Sequence, residues 1–182
     1  MNHPRLLLLT MAATLSTAAL AQGAGTRDSV YAISALGAGT TLQDCGHRQA
    51  CPAYDAVAGK LGLGVRLGAV ATEFWGLDFG RDKPAPGLHA QRLQAVVLQA
   101  AWTLPLSPRV HGVLRGGGGM LTQTRPDGSR RLVLAAAYGV GLAWQVAPGL
   151  AVEVAWDMVT ADGEGTRAVL GHMATAGVRL GF

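Results

Sequence analysis

Charge is scarce in this chain. Asp, Glu, Lys and Arg together make up 14% of its 182 residues, against roughly 25% in a typical soluble domain. Lysine is confined to Lys60 and Lys83. The formal charge of +4 is modest, and no basic stripe is interleaved with the few aromatics (5% of residues). Nothing therefore points to nucleic acid as a partner. Cysteine is limited to Cys45 and Cys51, and the neighbouring Asp44 and His47 match no zinc spacing. Serine is also thin: beyond the N-terminal segment only Ser29, Ser34, Ser107 and Ser129 remain, and no histidine has a serine two residues on. The run Gly116 to Gly119 is followed by no Lys-Ser/Thr pair and no helical pattern, so it is not a phosphate loop. No catalytic residue, cofactor site or metal site is assigned.

What is abundant is glycine, 26 residues, together with alanine. Small residues pack inside a narrow lumen and let strands curve. The N-terminus adds a compartment. Arg5 precedes an apolar stretch from Leu6 to Leu20, and Ala19-Leu20-Ala21 offers a small-residue cleavage site. Residues 1–21 thus read as a secretory signal peptide and 22–182 as the mature domain. Loss of Arg5 takes the formal charge from +4 to +3. In an exported protein, Cys45 and Cys51 within the polar segment Gln43 to Asp55 read as a local disulfide pinning a loop.

Apolar segments of period two recur along the mature chain, with turn signals between them. They predict strands over Ser29–Thr41, Ala58–Leu67, Ala71–Gly80, Ala90–Leu104, Arg109–Leu121, Arg131–Val146, Leu150–Val159 and His172–Phe182. In the third, the parity of Glu73, Phe74, Trp75 and Phe79 is ambiguous and a bulge is allowed. The connections alternate. Gly68–Val70, Pro105–Pro108 and Ala147–Gly149 are tight, whereas Thr41–Val57, Arg81–His89, Thr122–Arg130 and Thr160–Gly171 are longer and polar. Short turns at one end and long loops at the other describe an all-β, eight-stranded antiparallel up-and-down transmembrane barrel, with both termini on the periplasmic side of a Gram-negative outer membrane. The competitor is a helix through the uncharged window Leu132 to Val152. Pro148-Gly149 inside that window, and the period-two placement of charges elsewhere, oppose it.

Parity sends Lys60, Arg66, Glu73, Arg115, Glu153, Asp157 and Arg179 inward. Facing lipid at mid-bilayer, such charges cost on the order of 2–4 kcal/mol each. Inside a narrow barrel they can pair, which predicts a charge-plugged lumen, with a gated ion path as the alternative. Trp102, Trp144, Trp156 and Phe182, joined by Tyr31, are expected as the aromatic belt at the membrane interface. Arg81, Lys83, Arg125, Arg130 and Arg131 near the outer rim are placed to meet lipopolysaccharide phosphates or simply water.

Several segments together resemble the OmpA-like transmembrane barrel family of small outer-membrane proteins. They are Trp102-Thr103-Leu104-Pro105-Leu106-Ser107 with Val113 to Gly117, Tyr138 to Leu150, Val152 to Asp157, and Ala176-Gly177-Val178-Arg179-Leu180-Gly181-Phe182. The match spans the mature chain. It implies that Val178, Leu180 and Phe182 form a signal read by the barrel-assembly machinery. It also implies that Arg115, Glu153 and Arg179 belong to an interior charge cluster. A cell-wall tether is not implied, because the resemblance stops at Phe182 and includes no peptidoglycan-binding domain; the cysteine loop is not a general family feature. The expected function is that of a non-enzymatic surface barrel whose partners are outer-membrane lipid, lipopolysaccharide and an extracellular ligand bound by its four outer loops. A narrow low-conductance channel and a lipid A-modifying barrel enzyme are the alternatives.

Overall fold

The computed structural model describes residues 29–42, 56–81, 92–124, 127–161 and 169–182. The expected signal peptide, Cys45, Cys51, Lys83 and Arg125 lie outside the described residues. Eight strands follow in order: β1 Ser29–Leu42, β2 Ala56–Leu67, β3 Val70–Arg81, β4 Arg92–Pro105, β5 Val110–Thr124, β6 Arg130–Ala147, β7 Leu150–Ala161 and β8 Val169–Gly181. Each pairs antiparallel with its neighbours, and β8 pairs with β1, so the sheet closes into a barrel. Closure leaves no unpaired edge. The amide of Phe182 extends the seam by donating to the Val30 carbonyl at 2.8 Å.

The strands begin and end within a few residues of the sequence-based bounds. The clearest difference is at the β5–β6 connection. Both strands run further than expected, to Thr124 and from Arg130, because the ladder continues through Gln123–Arg131 and Thr124–Arg130. The window Leu132–Val152 is not a helix but a hairpin, turning at Pro148-Gly149, where Gly149 takes φ 71°. Pro followed by a left-handed Gly is the chemistry of a type II turn. Gly68, at φ 66°, does the equivalent work between β2 and β3. In the third tight connection the Ser107 hydroxyl accepts from the Val110 amide at 3.1 Å.

Side chains alternate across the wall. Outward lie large apolar residues such as Leu61, Leu63, Val65, Phe74, Val96, Leu98, Leu134, Val140, Leu142 and Val154, all exposed. Inward lie the buried groups, in two zones. Toward the long-connection end the lumen is mostly apolar: Leu77, Phe79, Leu93, Val97, Leu121, Val159 and Met173 are all buried, with Gln123 buried beside Leu93. Nearer the short-turn end it is polar, and there the charged side chains meet. The outer wall is thus largely apolar and the buried charged side chains lie inside, the reverse of a soluble barrel.

Candidate functional site: the charged lumen and the long-connection rim

β3 settles its own parity. Glu73, Trp75, Leu77 and Phe79 point inward, while Thr72, Phe74, Gly76 and Asp78 point outward. Glu73 is fully buried. Its carboxylate accepts from Tyr31 Oη at 2.6 Å, Trp75 Nε1 at 2.9 Å and Arg115 Nε at 2.6 Å. Glu153, on β7, accepts twice from Arg115 Nη2, at 2.8 and 3.0 Å, and once from Arg179 Nη2 at 2.6 Å. Lys60 donates to Asp157 at 2.7 Å and lies 3.7 Å from Glu153. Arg179 also approaches Glu73 at 3.6 Å. Strands β1, β2, β3, β5, β7 and β8 are therefore tied across the lumen by one network. Three cations face three carboxylates within it, and the geometry satisfies the rule that buried charge is tolerable only when paired and hydrogen-bonded.

Lys60, Glu73, Arg115, Glu153, Asp157 and Arg179 are buried on the lumen side, and Arg66, half-buried, pairs with the buried Ala71. Arg66 stands apart from the rest. It forms no ion pair among the described residues and instead lies over the Tyr31 ring, 5.7 Å from its centroid, near the short-turn end. Arg179 covers the same ring at 4.6 Å. Trp75 is flanked likewise by Lys60 at 4.8 Å and Arg115 at 5.3 Å. Aromatic faces thus hold the cations that the carboxylates bind from the side.

Tyr31 and Trp75 are the lumen residues that sequence reasoning missed. Tyr31 is not part of an aromatic belt: it is 2% exposed and hydrogen-bonded to Glu73. The reason lies across the strand. Tyr31 pairs directly with Gly64, and Trp75 pairs directly with Gly62. A Cβ at 62 or 64 would run into the Trp75 or Tyr31 ring, so these glycines make the room that the rings fill. The glycines were visible in the sequence, but which ring stood opposite each was not. Of the expected belt, Trp102 and Trp144 are exposed on the outer wall near the short turns. Trp156 also faces outward but sits mid-strand, between Val140 and Ala174, with its ring 5.3 Å from that of His172. It therefore does not share their level, because β7 has already risen well away from its turn by that point. Val178 and Leu180 share the outward face of β8, and Phe182 follows the strand with its amide on the Val30 carbonyl.

At the opposite end, Arg81 and Arg130 are exposed. Arg131 has the inward parity of its partner Gln123. Arg92, not singled out in the sequence, is held by Asp78, to which its guanidinium donates; Gln94 Nε2 reaches the same carboxylate at 3.1 Å.

No protein-family model and no curated protein matches the chain. Solved structures do. Neisserial surface protein A matches at a TM-score of 0.70 and 15% identity, covering 88% of this chain and 100% of its own. The N-terminal barrel domain of Pseudomonas aeruginosa OprF matches at 0.52 and 14%, covering 86% and 100%. Ail, the attachment invasion locus protein of Yersinia pestis, matches at 0.51 and 14%, covering 85% and 100%. The fold is that of the small eight-stranded outer-membrane barrels.

Proposed function

We propose that the chain is a non-enzymatic surface protein of the Gram-negative outer membrane, exported by a cleaved signal peptide, whose sealed barrel carries its four outer connections as its contact surface. The observation that carries this is the filling of the barrel. An outer wall lined by exposed Leu, Val, Phe and Trp side chains demands lipid. Inside, a buried apolar zone is stacked on a neutralised ion-pair zone, which leaves the lumen as a strut rather than a path. Recognition then falls to the loops, since rigid scaffolds carry function on their connections. Cys45 and Cys51 pin the first of these loops as a disulfide, outer-membrane lipid surrounds the wall, and Val178, Leu180 and Phe182 present the assembly signal on β8.

The test joins three measurements. Outer-membrane fractions are run on gels with and without boiling, the purified protein is placed in planar bilayers, and whole cells carrying wild type or Cys45→Ser/Cys51→Ser are assayed for binding to host-cell matrix. A compact unboiled band, no conductance steps, and binding lost in the double variant with assembly intact are expected. Regular conductance steps in the wild type would replace the strut with the channel alternative. A band that does not shift would remove the barrel from the membrane altogether.

A further inference from the structure

The ladder places three arginines on one row of the outer wall. Arg81 on β3 pairs with Arg92 on β4, Arg92 pairs with Thr124 on β5, and Thr124 pairs with Arg130 on β6. Paired residues of an antiparallel ladder face the same way, and Arg92 has the outward parity of Val96 and Leu98. All three arginines therefore face outward, spread over about 14 Å, three strand spacings.

Arg81 faces outward only because of a bulge. The register shifts between Asp78 and Arg81, so that three steps on β3 match two on β4. Without the extra residue, position 80 would oppose Arg92 and Arg81 would point into the lumen. Gly80 adopts φ 85°, and a Cβ there would strike the Val57 carbonyl and the Ala56 side chain. The Asp78 carboxylate accepts from the Gly80 amide at 3.0 Å and from Arg92. One carboxylate thus secures the bulge and positions the middle arginine. Re-aiming a side chain is a recognised use of a bulge.

The depth is also defined. Below the row come Asp78, Gln94, Thr122 and the exposed Leu132, and below them Val96, Met120 and Leu134, which are exposed and apolar. Four residues at about 3.4 Å each, on strands tilted by about 40°, put Arg92 and Arg130 about 10 Å beyond Val96 and Leu134 on their own strands, while the ladder itself climbs obliquely from Arg81 to Arg130. Among the described residues near that end of the other strands, the outward Val57, Thr160 and Leu170 are uncharged.

We propose that Arg81, Arg92 and Arg130 form a lateral site for the phosphates of an outer-leaflet glycolipid whose disaccharide headgroup carries a phosphate at each end. Planar guanidinium groups bind phosphate bidentately, and three of them along about 14 Å of ladder can engage two phosphates on one headgroup. The proposal rests on the outer-membrane placement given above.

The experiment is native mass spectrometry of the full chain in non-ionic detergent. It is titrated with bisphosphorylated lipid A, with the same lipid lacking one phosphate, and with phosphatidylglycerol. For bisphosphorylated lipid A, Arg81→Gln/Arg92→Gln/Arg130→Gln should weaken binding at least tenfold, and Arg130→Gln alone, which disturbs no described ion pair, severalfold. Arg109→Gln, at the short-turn end, should change nothing. Loss of one phosphate should weaken wild type severalfold, and phosphatidylglycerol should not distinguish wild type from the variants. Binding of bisphosphorylated lipid A by Arg130→Gln and the triple variant within twofold of wild type would overturn the site. Equal loss in Arg109→Gln, or equal discrimination with phosphatidylglycerol, would overturn it too, by reducing the row to general anion attraction. Heat-shifted mobility and membrane fractionation of the same proteins separate the two levels: a wild type found outside the outer membrane defeats the placement, whatever the lipid titration shows.

Discussion

Removing one negative charge from the lumen without changing its shape should be among the most damaging single changes in this protein. Glu153→Gln is that change. Glu153 faces Arg115, Arg179 and Lys60, whose side chains are 0%, 9% and 1% exposed. In the wild type these three cations are balanced by Glu73, Glu153 and Asp157. After substitution one buried positive charge is uncompensated. Breaking a buried pair by removing one partner costs about 3–5 kcal/mol. Two unit charges 4 Å apart at an effective dielectric of 20 give about 4 kcal/mol, the same scale. The glutamine carbonyl still accepts from one guanidinium, which puts the expected loss toward about 3 kcal/mol. The assay is urea unfolding of protein refolded in detergent, followed by tryptophan fluorescence and by the heat-sensitive gel band. With a slope of about 2 kcal/mol per molar urea, the midpoint should fall by about 1.5 M. Restoring balance with Arg179→Gln in the same chain should recover part of that loss, as coupled sites do. A midpoint shift below about 0.3 M, with no coupling to Arg179, would mean that water, not protein, solvates the cluster, and the strut would lose its physical basis.

Phe79→Ala, at a fully buried position of the apolar zone, should cost about 3–5 kcal/mol; a loss under 1 kcal/mol in the same titration would show that zone to be loosely packed. Gly64→Ala should cost about 1–3 kcal/mol by pushing on the Tyr31 ring, and Tyr31→Leu in the same chain should relieve much of it, an expectation defeated if the two losses simply add. Arg92→Gln removes an exposed pair with Asp78 and should change stability by less than about 1 kcal/mol, so a larger drop would mean that the bulge depends on that arginine. Arg115→Ala should destabilise the barrel yet produce no conductance steps in planar bilayers, because the apolar zone still blocks the lumen; steps from this variant would show that the ion pairs alone seal it.

Eight strands, their faces and the alternation of short and long connections were legible in the sequence, because each depends on period two and on local turn chemistry. Leu61, Leu63 and Val65 against Gly62 and Gly64, or Pro148-Gly149 between β6 and β7, carry that information within a few residues. The inward direction of Lys60, Glu153 and Arg179 follows from the same parity. Register does not, since it is a relation between strands distant in the chain, and a shift of one residue would turn a whole face over. Only the closed barrel decides that Lys60 meets Asp157, that Arg115 spans Glu73 and Glu153, and that Tyr31 and Trp75 fill the space left by opposing glycines. The bulge at Gly80 belongs to the same class: sequence allowed one somewhere in β3, and the tertiary ladder placed it where it turns Arg81 from the lumen to the outer wall.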